Sequence, residues 1–148
     1  MEKKMNNKGF SLVELIIVVA IMAVLIGVLA PAYLQYVEKS KKTSDASAVG
    51  SVMDAVEIIA ADPAIDWTSE TIEVSFSTTG CTYAGGTSKA LAQLESIVPA
   101  ADCKLTGNWG TDSFDFEATK DSNGNVTFTG TAPADLPDVS AKLNSRYN

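Results

Sequence analysis

The stretch KGFSLVELIIVVAIMAVLIGVLAPAY, Lys8–Tyr33, decides the reading of this chain. It follows a short, polar, basic start over residues 1–9, and from Leu15 to Val37 no residue is charged. Coiled as a helix at about 1.5 Å per residue, that run is roughly 35 Å long, against a hydrocarbon core of about 30 Å. It is long enough to span a bilayer. Glu14 does not fit a plain anchor: a carboxylate at the centre of a membrane helix costs about 2.5–3.5 kcal/mol, and less near an end.

Helical periodicity continues beyond the apolar run. After EKSKKTSDAS, the residues Val49, Val52, Met53, Val56, Ile59 and Ala60 fall on one apolar stripe, with Ile58 off it. Asp62-Pro63 ends the pattern, because the residue before a proline is pushed out of the α region. The expectation is one helix from about Phe10 to Ala61, apolar all round in its first half and amphipathic in its second.

The second half must pack under something, and the rest of the chain supplies it. TIEVSF (Thr71–Phe76) alternates Ile72, Val74 and Phe76 inward as a half-buried strand. TSKALAQLESIV (Thr87–Val98) sets Leu91, Leu94 and Val98 at helical spacing, with Ser88 as the expected N-cap. SFDFEAT (Ser113–Thr119) and NVTFTGT (Asn125–Thr131) flank KDSNGN, where Asn123-Gly124 signals a hairpin turn. In FDFE (Phe114–Glu117) the carboxylates alternate outward. The final APADLPDVSAKLNSRYN is expected to be irregular with a short helical turn. The fold class is α+β: a long N-terminal helix under a small antiparallel sheet.

At 148 residues the chain holds one compact domain plus an anchor. Charge is split: residues 1–42 carry six Lys against three Glu, whereas residues 43–148 carry five Lys and Arg against fifteen Asp and Glu. An acidic body repels phosphate backbones, which argues against nucleic acid as a standing partner. The absence of histidine removes the commonest general base and metal ligand. With no phosphate loop, Cys/His metal spacing or catalytic triad, nothing supports an enzyme on an anchor, and no cofactor is expected.

Two simple accounts of the N-terminus compete. A secretory signal peptide would explain the basic start and Ala30-Pro31-Ala32. Its apolar core, however, is about 7–15 residues, and cleavage there would sever one helix. A single-span anchor explains the length but not Glu14. A third account rests on KGFSLVE, Lys8–Glu14, which resembles the processing site of type IV pilins and their relatives: a basic leader ending in Gly, then Phe, then Glu five residues into the mature chain, then an apolar stretch. Gly9, Phe10 and Glu14 match it, as does the helix-breaking Pro31. The nine-residue leader is similar to the type IVa subgroup. The likeness covers residues 1 to about 60; beyond that only the layout agrees.

The resemblance implies a precursor: leader 1–9, hydrophobic membrane and assembly segment 10–37, and soluble head 38–148. A prepilin peptidase would cut between Gly9 and Phe10 and N-methylate Phe10 from S-adenosylmethionine. An assembly ATPase and a platform protein would then move subunits from the inner or cytoplasmic membrane into an extracellular helical fibre of identical subunits. Glu14 would pair with the methylated amine of a neighbour, the rival reading being a side chain that snorkels to headgroups. The same motif serves major pilins and pseudopilins of secretion or DNA-uptake machines, so both remain open.

Other residues are weighed against this frame. Pro31 removes the helical partner of the Gly27 carbonyl and Gly27 is a weak helix former, so that turn is either a fixed kink or one that melts on fibre packing. Tyr33 and Tyr36 are expected as interfacial or packing aromatics, in preference to charge transport. EKSKK (Glu38–Lys42) is expected as a solvated helix face that also meets an acidic head in the fibre. Cys81 and Cys103 are expected to pair in an exported chain, a bridge worth about 3 kcal/mol in the chain-entropy model. DSNGN mimics the start of a calcium loop but has Val126 and Ala132 where Gly and Glu are needed, so a turn is favoured. Asn125-Val126-Thr127 is a sequon, a weak signal.

Overall fold

The computed structural model describes residues 9–68, 70–111, 113–130 and 133. The C-terminal stretch expected to be irregular lies outside them, apart from residue 133. Helix α1 runs Leu12–Ala61, strands β1 Thr71–Ser77 and β2 Gly80–Gly85 follow, then helix α2 Ser88–Ile97, a 3-10 turn Ala100–Asp102, and strands β3 Ser113–Lys120 and β4 Val126–Gly130. The chain divides into two compact units, one through Val37 and one from Glu38.

In the second unit the stripe foreseen on α1 is the buried one: Val49, Val52, Met53, Val56, Ile59 and Ala60 are all buried, while Ile58 is exposed. The four strands form one antiparallel sheet in the order β2-β1-β3-β4. Side chains alternate across a strand, so Ile72, Val74, Phe76, Phe114, Phe116 and Ala118 enter the same core as the α1 stripe. Phe76 lies opposite Phe114 in the β1–β3 register, and their rings stack with centroids 5.1 Å apart. Phe128 of β4 closes the row edge-on to Phe116 at 5.7 Å. Asp115 and Glu117 point outward, as FDFE implied.

Two expectations need correcting. Strand β2 was not foreseen: GCTYAG has no apolar alternation, since only Gly80 and Cys81 are buried and the strand lies at the sheet edge. It is held by its pairing to β1 and by a disulfide from Cys81 to Cys103, with the two Cα atoms 5.6 Å apart. The N-cap of α2 is Thr87 and not Ser88. Thr87 keeps extended backbone angles and its Oγ1 accepts the Ala90 N–H at 3.3 Å, leaving Ser88 as the first helical residue. Beside the disulfide, the Tyr83 hydroxyl donates to the Val98 carbonyl at 2.9 Å. Burial, reinforced by Glu95, pushes its pKa up to about 12.

The connection from the 3-10 turn to β3 is tied to α1 by Asp45, a buried carboxylate at 2% exposure. Asp45 accepts the Thr106 N–H at 3.0 Å, the Thr106 hydroxyl at 2.9 Å, the Gly107 N–H at 2.8 Å and the Trp109 indole N–H at 2.8 Å. A Cβ on Gly107 would sit 2.9 Å from Lys42 Cγ and 3.2 Å from Asp45 Oδ2, so glycine permits the approach. The Lys42 ammonium lies 5.0 Å from the Trp109 ring centroid, a cation–π contact. Glu38 accepts the Asn108 N–H. EKSKK is thus a docking face for this loop as well as a solvated one.

The β3–β4 hairpin confirms the turn. Asp121 Oδ1 accepts the backbone N–H groups of Asn123 and Asn125, each at 2.8 Å, and Gly124 takes the positive φ of 90°. The Asn125 N–H, before the other donors, holds the Asp121 carboxyl below its ordinary pKa of 3.8. A lowered folded-state pKa contributes stability at higher pH that is lost as pH falls through it. Carboxyl NMR should therefore find Asp121 titrating below 3.8, with the Asn123 and Asn125 amides shifting at the same midpoint; a midpoint at or above 3.8 would contradict the turn. For the cap, Thr87→Ala should lower head stability by about 1 kcal/mol in denaturant melts, and Ser88→Ala should leave the midpoint unchanged.

Candidate processing and assembly site

The sequence places its chemistry at the N-terminal end of α1. Gly9, Phe10 and Ser11 precede the helix, and Phe10 is 92% exposed. Nothing lies within 4 Å of where a Cβ on Gly9 would sit. Among the described residues no contact requires glycine there.

The helix begins at Leu12, two residues later than expected, because Ser11 is its boundary. Glu14 stands three residues after Ser11, and its Oε2 accepts the Ser11 N–H at 2.9 Å. A glutamate at that offset reaching back to a serine N–H is half of a capping box, which satisfies one of the donors a helix start leaves unpaired. The S-x-x-E signature was present in Ser11–Glu14, within the motif read for processing. In the single chain Glu14 is exposed and is not joined to Phe10.

From Leu12 to Leu29 the large apolar side chains are between 48% and 73% exposed. A continuous apolar surface of this size marks a membrane or protein partner. The helix is long and apolar enough to cross a membrane. It passes through Gly27 and Pro31 without interruption. Pro31 offers no N–H to the Gly27 carbonyl, and a Cβ on Gly27 would meet nothing within 4 Å. Packing among the described residues thus explains neither residue.

The head brings together no group of His, Cys, Asp and Glu able to hold a metal ion among the described residues. Its outward sheet face is acidic: Glu73 lies directly opposite Glu117, and Asp115 is two residues along β3. Like charges in register oppose strand pairing, so the pairing of β1 and β3 rests on the aromatic face beneath. Glu38, Lys42 and Asp45 make contacts with the head that the sequence reading missed. Asp45 could have been found, since it lies four residues before Val49 on the same stripe.

Residues 4–30 match the prokaryotic N-terminal methylation motif. No curated protein and no solved structure gives a significant match. The motif covers the start of the apolar helix, and it implies prepilin peptidase processing followed by pilus-like assembly. Joined to the long helix and the small antiparallel sheet that follow it in the chain, the motif makes this chain similar to type IV pilin-like proteins.

Proposed function

We propose that this chain is the precursor of a type IV pilus subunit, the major pilin. The observation that carries the reading is KGFSLVE at the head of an apolar helix whose surface has no partner among the described residues. Residues 1–9 form the leader, 10–37 the membrane and assembly segment, and 38–148 the soluble head. Cleavage falls between Gly9 and Phe10, where the backbone is exposed and non-helical, and the new amine of Phe10 is N-methylated. The subunit waits in the inner or cytoplasmic membrane and leaves it for an extracellular fibre. The fibre core substitutes for lipid around the apolar helix, so extraction has little hydrophobic penalty.

Apolar contacts are non-directional and do not set register. Glu14 does, by pairing with the Phe10 amine of a neighbouring subunit in a low-dielectric core. A subunit in the wrong register leaves a charge buried alone. Gly27 and Pro31 weaken one turn of α1, which opens when subunits pack. The second reading is a pseudopilin, a piston part of a secretion or DNA-uptake machine. Abundance discriminates: a major pilin dominates sheared surface fractions.

Mass spectrometry of the mature N-terminus should find a chain beginning at methylated Phe10. A chain beginning at Ala32 or later would overturn the reading.

Variants at Glu14 separate its cap from its charge. Losing the pair should cost roughly 3–5 kcal/mol per interface, whereas losing the cap costs about 1 kcal/mol. Glu14→Gln keeps the cap, since glutamine serves in a capping box, and removes the charge. Both Glu14→Ala and Glu14→Gln should yield processed subunit in the membrane and no fibres under the electron microscope. Normal fibres from Glu14→Gln at wild-type subunit levels would show that the carboxylate is not the register device.

A further inference from the structure

Helix α1 is poorly suited to stay helical where it enters the head. Between Ser40 and Ser51 it carries Ser40, Thr43, Ser44, Asp45, Ser47, Gly50 and Ser51, all weak helix formers. Three of these hydroxyls turn back onto their own helix: Thr43 donates to the Lys39 carbonyl at 3.0 Å, Ser47 to that of Thr43 at 3.1 Å, and Ser51 to that of Ser47 at 3.0 Å. Such back-bonding slightly destabilises helices and often bends them. Nine residues before Ser40, Pro31 interrupts the hydrogen-bond ladder. A helix that loses one turn readily loses the next when propagation is weak.

Against this stands the loop 104–110. It is fixed at its far side by the Leu105 N–H to the Ser77 carbonyl at 2.8 Å and by the Cys81–Cys103 bridge. It grips α1 at Glu38, Lys42 and Asp45, spaced four and three residues apart and so on one helix face. We propose that this grip is a stop: α1 opens at the Gly27–Pro31 turn during assembly, and the Asp45 carboxylate keeps the opening from spreading into the head. The stop rests on the reading of α1 as the assembly helix, but its test does not require fibres.

The experiment is amide hydrogen exchange on the full processed chain in detergent micelles. With the stop in place, the amides of residues 43–48 exchange only when the whole head unfolds, at the rate of β1 and β3. Thr87→Ala lowers head stability away from the grip, so it should speed both regions equally. Asp45→Asn leaves one acceptor oxygen and sets an amide N–H₂ against the loop's donors. It should raise the exchange of 43–48 relative to β1 and β3 by about tenfold or more.

Trp109→Phe removes one donor and keeps the ring under Lys42, so it should raise the same ratio by a few-fold even if Asp45→Asn does not fold. A ratio near one in Trp109→Phe, and in Asp45→Asn where it folds, would overturn the stop. So would wild-type 43–48 exchanging well ahead of the strands. The subunit reading fails on separate evidence, by a mature chain that begins at Ala32 or later.

Discussion

One buried carboxylate organises the head. Asp45 is removed from water, where an uncompensated charge is costly, and it is retained because four donors converge on it. Three of the four donors come from the backbone and hydroxyl of Thr106 and the backbone of Gly107, so the loop must arrive in one conformation. Trp109 supplies the fourth and covers the site with its ring. The loop so placed follows directly on Cys103, and Cys103 fastens the edge strand β2, which has little apolar burial of its own. The order runs from helix to loop to disulfide to sheet edge.

The parts legible in the sequence were those set by periodicity. The α1 stripe, the alternation in Thr71–Phe76 and the outward carboxylates of FDFE follow from periods of 3.6 and 2, and a buried face enforces such periods. Strand β2 was hidden because an edge strand held by a covalent bridge needs no alternation. Thr87 lost to Ser88 because two adjacent hydroxyl residues are equivalent to a spacing argument; only the backbone angle decides which one stands outside the helix. Asp45 looked like one more polar residue in a basic, serine-rich stretch. Its partners lie about sixty positions away, beyond the reach of local pattern.

The processing motif was legible for a different reason. Among the described residues Gly9, Phe10 and Glu14 make no contact with one another: nothing meets a Cβ on Gly9, Phe10 is exposed, and Glu14 accepts the Ser11 N–H. The motif was read from residue types in fixed order, which needs no contact within the fold.

The fold treats two of the carboxylates on helix α1, Asp45 and Glu14, oppositely. Asp45 accepts four hydrogen bonds from its own chain and is sealed. Glu14 accepts one, on a surface of exposed leucine, isoleucine and valine. An ionised carboxylate has about four acceptor positions, so most of the capacity of Glu14 is unfilled by the described residues. Once the surrounding apolar surface is covered by lipid or by other copies, water can no longer fill it, and a donor must come with whatever does the covering. In the proposed fibre of identical chains cut after Gly9, the amine of Phe10 would be the cation that serves. The same desolvation that makes Asp45 hold a loop in place would then make Glu14 hold a neighbour in register.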